Sequence, residues 1–252
     1  MSNEVATRES NLPSANLAAW GAPQMSTQDI IIPKILPMQG LSVAVAEGRA
    51  QMGEFRDSVN NSLLGDLTKP VHCIPFFLQK SWDVLQEQAD GQFKFSHSVP
   101  VVEDPSKPDY NDNWKWEDTK DGLKVKNVRR LNFYVLLPSE VEAGTAVPYI
   151  MSFKSTSIKE GKKLFTQMYM RNIRAGLPPA AFTIKIGGSR QKNDKGIFIV
   201  PNYQMDRAAT EAELTECLSW IKLIQRGSVK VDETQDDVKS EASFGAEGTG
   251  EF

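Results

Sequence analysis

Cysteine, histidine and uninterrupted apolar sequence are all scarce in this chain of 252 residues. Its two cysteines, Cys73 and Cys217, sit far apart inside apolar patterns, so reduced core thiols are expected rather than a disulfide or a metal pair. The two histidines, His72 and His97, fall in strand-like patterns with no cysteine or carboxylate at metal-ligand spacing, and read as structural. No stretch nears the roughly 18 consecutive apolar residues of a membrane span. The first residues include Glu4 and Glu9 and lack the apolar centre of a signal peptide, which points to a cytoplasmic protein. A Gly-x-Ser-x-Gly elbow and a Walker A loop are missing as well. Gly161-Lys162-Lys163 lacks the preceding glycine and lies in helical sequence, while Gly187-Gly188 reads as a turn at a strand end. The sequence therefore reads as a non-enzyme with no cofactor and no metal.

What the chain does have is charge sorted by region. Residues 232–252 carry seven carboxylates against one cation, Lys239, and only two aromatics, Phe244 and Phe252. So few apolar groups do not offset the entropy of ordering, which predicts a disordered acidic tail over 231–252. The net charge of the whole is -3, so the body without the tail is slightly basic. Between residues 150 and 207, eleven cations face three anions, which marks the region where a polyanion would sit.

Residues 1–28 show no helical or alternating period and read as a flexible arm. Pro33 and Pro37 then cut an apolar run, predicting an extended segment along a core edge. A short helix is expected within 41–53 and a strand and turn over 53–64. From Pro70, VHCIPFFL, KSWDVLQE and QFKFSHS read as three strands, with Asp90-Gly91 as a hairpin turn between the second and third. An acidic insert near 101–122, containing Asp112 and Glu117, reads as a long surface loop. KVKNVRRLNFYVLL and VPYIMSF resume the strands. Ser157 with Glu160 fits a capping box opening a helix to about Arg174. That helix places Ile158, Gly161, Leu164, Phe165, Met168 and Asn172 on one side and Lys159, Lys162, Lys163 and Arg174 on the other. Two strands follow, AAFTIKIGG and GIFIVPNYQM, joined by a basic turn, SRQKNDKG. Thr210 with Glu213 opens a last helix ending near Gly227. The pattern predicts a β-rich α+β fold, an OB-like small barrel with two or three helices, forming a single nucleic-acid-binding domain over 29–230.

Binding to single strands requires cations along the phosphates and exposed rings on which bases stack. The candidates in the strands are Phe93, Lys94, Phe95, Lys126, Arg129, Arg130, Tyr134 and Lys154. On the helix they are Lys159, Lys162, Lys163, Arg171 and Arg174, and in the basic turn Arg190, Lys192 and Lys195. For each aromatic the alternation with lysine is equally that of a half-buried strand.

A β-rich body followed by an acidic segment containing Asp232, Glu233, Asp236, Asp237, Glu241, Glu247 and Glu251 and closing in Phe252 resembles the bacteriophage T7-type single-stranded DNA-binding proteins. The resemblance implies a non-catalytic protein that coats single-stranded DNA in phage replication and recombination. It also implies a tail that competes with DNA and, through Asp236, Asp237, Glu251 and Phe252, recruits the replicative polymerase or helicase-primase. A homodimer is compatible with this reading. Two alternatives share the same residues: a recombination protein that anneals complementary strands, and a viral structural or interaction protein with no nucleic-acid role.

Overall fold

The computed structural model describes residues 31–89, 91, 93–101, 116–118, 124–193 and 196–225. In chain order the elements are β1 (Ile35–Pro37), α1 (Val43–Ala46), β2 (Phe55–Asp57), β3 (Leu63–Gly65), β4 (Val71–Glu87), β5 (Phe93–Pro100), β6 (Trp116–Asp118) and β7 (Lys124–Leu136). Then come α2 (Pro138–Ala143), β8 (Tyr149–Lys154), α3 (Ile158–Phe165), β9 (Phe182–Asn193), β10 (Gly196–Ala208) and α4 (Glu211–Gln225). A π-helical stretch, Thr166–Asn172, continues α3 without a break.

The long antiparallel pair β4–β7 is apolar at both parities, and this sets the architecture. One parity (Val71, Cys73, Leu131, Phe133, Val135) builds a core with Tyr149, Met151 and Phe153 of β8, Ile184 and Ile186 of β9, and Leu164 and Met168 of the α3 helix. The other parity (Ile74, Phe76, Tyr134, Leu136) joins Ile150, Cys217 and the inward side of α4 in a second core. A strand buried on both faces needs a cover on each. Here α3 with its π-helical extension and the small β1-β2-β3 sheet cover one face, and α2 with α4 cover the other. Between Pro75 and Phe77 a bulge shifts the β4–β7 register, so that Phe76 and Phe77 both pack against the second core. Pro75, with no N–H to donate, sits at that irregularity, where a ladder tolerates it.

The expected OB-like barrel is not formed. The seven-stranded sheet has the open order β10-β9-β4-β7-β6, with β5 on β4 and β8 on β7, and its edges do not close. A small barrel turns one face inward, whereas the double-sided burial of β4 and β7 demands layers on both sides, giving a mixed α/β fold. Three local expectations change with it. VHCIPFFL and KSWDVLQE form the single strand β4. Most of the basic turn is paired strand, from Ser189↔Val200 to Asn193↔Gly196. The Ser157–Glu160 capping box is replaced: the Ser157 hydroxyl bonds back to Lys154, and Glu160 takes a hydrogen bond from Lys163. Helix α2 was not anticipated, although Pro138 at its first turn and Gly144 in the left-handed conformation after it are ordinary helix signals.

Other expectations are met. β1 is an edge strand beside β2, and β2 and β3 form the hairpin read from 53–64. Thr210 and Glu213 do make the reciprocal box, with Thr210 N–H donating to Glu213 Oε2 at 2.7 Å and Glu213 N–H to Thr210 Oγ1 at 3.3 Å. The arm 1–28, the tail 231–252, Gly227 and most of the 101–122 insert lie outside the described residues.

One feature sets how closely helix and sheet approach, and a second ties neighbouring strands within the sheet. A Cβ built on Gly161 would stand 2.7 Å from Phe153 Cβ, so α3 rests on the sheet through a glycine. Farther along the strands, on the second-core face, Arg130 and Asp83 form an ion pair between β7 and β4, both almost fully buried. Ser98 of β5 donates to the same aspartate at 2.8 Å. Gly161→Val should cost about 1–3 kcal/mol through overpacking. Asp83→Ala leaves a buried guanidinium without its carboxylate and should cost about 3–5 kcal/mol. Urea unfolding followed by tryptophan fluorescence measures both.

Candidate functional site

The residues read as a nucleic-acid surface do not share one. Tyr134 is buried, donating its hydroxyl to Gln79 Oε1 at 2.9 Å within the second core. Arg130 is held by Asp83, and Arg129, its sequence neighbour in an extended strand, points to the opposite face. Phe93, Lys94 and Phe95 lie on β5, with Lys126 near the start of β7, at the far end of the sheet from the α3 helix. Lys154 ends β8 opposite Arg130. Arg190 and Lys192 are exposed toward the tip of the β9–β10 hairpin, while Lys195, Asp236, Asp237, Glu251 and Phe252 lie outside the described residues. Lys185 and Arg207 are drawn into ion pairs with Asp206 (2.8 Å) and Glu213 (2.6 Å). Among the described side chains, a set that leaves out Trp116, the exposed large apolar groups are all aliphatic, so no highly exposed ring accompanies the cations there.

One group of predicted residues does stay together. Gly161, Leu164, Met168 and Asn172 are buried against the sheet, as their spacing predicts. Lys159, Lys162, Lys163, Arg171 and Arg174 are exposed on the rest of the helix surface. The helix is held in place from several sides. Phe165 and Tyr169 stack at 5.3 Å, and the Lys80 ammonium lies 5.3 Å from the Phe165 ring centre. Asn172 donates to the Pro179 carbonyl at 3.1 Å and accepts from Gln167 at 3.1 Å. Gly176, at φ +72°, closes the helix, with Gly176 N–H bonded to Ile173 O and Leu177 N–H to Asn172 O, the paired bonds of a Schellman ending.

That ending presents apolar groups the sequence reading did not single out. Met170, Ile173 and Leu177 are 43%, 52% and 41% exposed, and Arg171 and Arg174 are interleaved with them. The available signal was that Met170 and Ile173 fall off the inward stripe of the helical projection. Tyr203 of β10 packs beside this helix near Glu160, Lys163 and Arg171, and burial pushes its hydroxyl above the ordinary tyrosine range.

A cleft of about 690 Å³ opens on the other side, between the start of β4, α2 and the first turn of α4. Pro70, Leu137 and Val141 are among its apolar lining, and His72, Glu142, Arg207 and Glu213 among its polar lining. Glu213 is buried and accepts from both Arg207 Nη1 (2.9 Å) and Nη2 (2.6 Å). The Arg207 guanidinium, aided by the Thr210 N–H, holds that carboxyl below the usual range against the opposing effect of burial. Beside the cleft, Asp206 bonds to Lys185 at 2.8 Å and lies 3.1 Å from His72 Nδ1, and its carboxyl is likewise lowered, chiefly by Lys185. Its polar groups thus largely satisfy one another. Cys73 and Cys217 are free and buried, and burial pushes the Cys217 thiol up to about 12, so neither offers a thiolate near neutral pH. Among the described residues no cluster of His, Cys, Asp and Glu is arranged to hold a metal ion, and no helix is long and apolar enough to cross a membrane.

Compared with known proteins, residues 5–230 match the family model described as Pam3 phage gp34-like protein. No curated protein and no solved structure matches the chain. These findings correct the resemblance to T7-type single-stranded DNA-binding proteins and the strand-coating function drawn from it: the match is to a different phage family, and the sheet is open where an OB-fold would close. The match ends at residue 230, so the acidic segment on which the resemblance rested lies beyond it.

With Glu213 and Asp206 titrating below their ordinary range, the folded state binds fewer protons than the unfolded chain. Their stabilisation is complete above pH about 5 and is lost as pH falls through the unfolded carboxyl range of about 4 toward the lower folded values. Glu213→Gln should lower the melting temperature at pH 7 and flatten the decline between pH about 5 and 3. Thermal melts of both proteins across that range measure the effect.

Proposed function

The chain belongs to the Pam3 phage gp34-like family, matched over residues 5–230, and on that premise we propose that it is a non-catalytic viral interaction protein. In this reading the outer face of the α3 helix and its π-helical extension receives an acidic, apolar segment of a protein partner. The observation that carries it is the company the cations keep. Around Arg171 and Arg174 the exposed apolar groups are Met170, Ile173 and Leu177. Aliphatic side chains provide no flat ring for a nucleobase, whereas they pack readily against apolar protein side chains. Arginine is enriched where protein partners meet.

The absence of catalysis is part of the proposal, and the high thiol pKa of Cys217 and the mutual pairing of the polar groups at the cleft support it. A location in the cytoplasm of the infected cell goes with it.

Two measurements test this reading. In a mobility-shift titration with single- and double-stranded oligonucleotides at 0.15 M salt, binding should stay in the weak non-specific range of about 10⁻⁴ to 10⁻⁶ M for both. Lysine crosslinking in infected cells, read by mass spectrometry, should join Lys159, Lys162 or Lys163 to one particular phage protein. Nanomolar, saturable binding to single strands would overturn the reading, as would crosslinks spread evenly over many proteins.

A further inference from the structure

The same helix face points to an occupant within the chain itself. We infer that in the free protein the acidic segment 232–252 docks on its own chain's α3 helix face, with Phe244 or Phe252 covering Met170, Ile173 and Leu177 and its carboxylates set against the surrounding cations. This rests on the preceding reading of the face as a site for acidic, apolar peptide, and adds a regulatory role: a partner has to displace the segment.

Charge and apolar content match on the two sides. The helix face offers exposed Lys159, Lys162, Arg171 and Arg174, with Lys163 shared with Glu160. The segment offers seven carboxylates and one lysine, with Phe244 and Phe252 as its only aromatics. At physiological salt the screening length is about 8 Å, so such charges act only in close apposition, which the apolar contact would provide. The exposed groups that bear the contact fall within eight residues at the helix ending, and the Gly176 turn, through Leu177 N–H to Asn172 O, fixes the backbone that carries Leu177.

Chain length permits the reach. Helix α4 ends at Gln225 on the second-core side of the sheet, so Phe252 is 27 residues away. A flexible chain of that length has a root-mean-square span of about 30 Å. Two layer spacings of about 10 Å each separate the helical layers on opposite faces of a sheet. A tether of this kind holds its ligand at an effective concentration of order millimolar, so even a weak contact is populated. The other cation-bearing regions fit less well: Lys185 and Arg207 are already paired, and Arg190 and Lys192 have one exposed apolar neighbour across the hairpin, Ile197, where the helix ending has three such groups.

The test is zero-length carbodiimide crosslinking of the full chain, prepared as an equal mixture of ¹⁴N and ¹⁵N protein, at 0.05 M and 0.5 M sodium chloride. Amide links from Lys159, Lys162 or Lys163 to carboxylates of 232–251 are expected within single isotopic species at low salt, falling at least fivefold at high salt. Ile173→Glu should reduce them by a similar factor with an unchanged melting temperature. Phe244→Ala combined with Phe252→Ala, which alters only the segment, should do the same and covers the case in which I173E is poorly folded. Absence of the links, links unaffected by the segment variant, or links mainly between isotopic species would overturn the inference. That failure is separate from failure of the partner reading, which is decided by the oligonucleotide titration and the infected-cell crosslinks.

Discussion

The pairing of β4 with β7 is the constraint on which the rest of the molecule depends. Both strands are long, and where Ile74–Leu78 pairs with Phe133–Leu136 both parities of side chain are apolar, so each face of the pair must be covered. Leu131, Phe133 and Val135 commit one face to the α3 helix, and Tyr134 and Leu136 commit the other to α4. Because side chains alternate with a period of two, a one-residue slip in this pairing would exchange the two cores and mismatch both. The bulge at Pro75–Phe77 is the single irregularity in that register, and it places two consecutive phenylalanines on the same side.

This double commitment explains why the surface has the character it does. Among the described residues, several aromatic side chains are used inside rather than presented for stacking: Phe133 and Phe153 meet edge to face at 5.7 Å, and Phe77 and Tyr134 do so at 5.5 Å. Apart from the buried Lys34 and Arg130, the described cations lie at or near the surface, divided among elements that face in different directions. Among the described residues, the largest group of them that stays in one place lies along the α3 helix, because a helix displays in three dimensions what its sequence holds within a few turns. There they adjoin aliphatic groups, and a protein segment suits such a surface better than a nucleic acid strand.

The cleft beside α2 shows the same logic from the polar side. Glu213 is both the reciprocal partner of the Thr210 cap and the anchor of Arg207, so one carboxylate fixes the start of α4 and neutralises a cation that otherwise belongs to the basic tract. Asp206 does the same for Lys185. A charge surplus counted along a sequence is therefore not the charge of a surface, since each pairing removes a cation from the sum that an incoming polyanion would meet.

Local features were determined by the sequence itself: the inward stripe of the α3 helix, the Thr210–Glu213 box, the edge position of the proline-cut segment at β1, the burial of both cysteines, and most strand positions. Each depends on neighbours within a few residues, where periodicity and capping chemistry operate directly. Only the tertiary structure decided that VHCIPFFLQKSWDVLQE is one strand, that the sheet stays open with a helical layer on either face, that Arg130 is spent on Asp83, and that Met170, Ile173 and Leu177 point away from both sheet cores. Those outcomes turn on which distant segment lies against which face. Alternating apolar residues are compatible with a barrel wall and with a central sheet alike, and the two diverge only when both parities have to find partners across the chain.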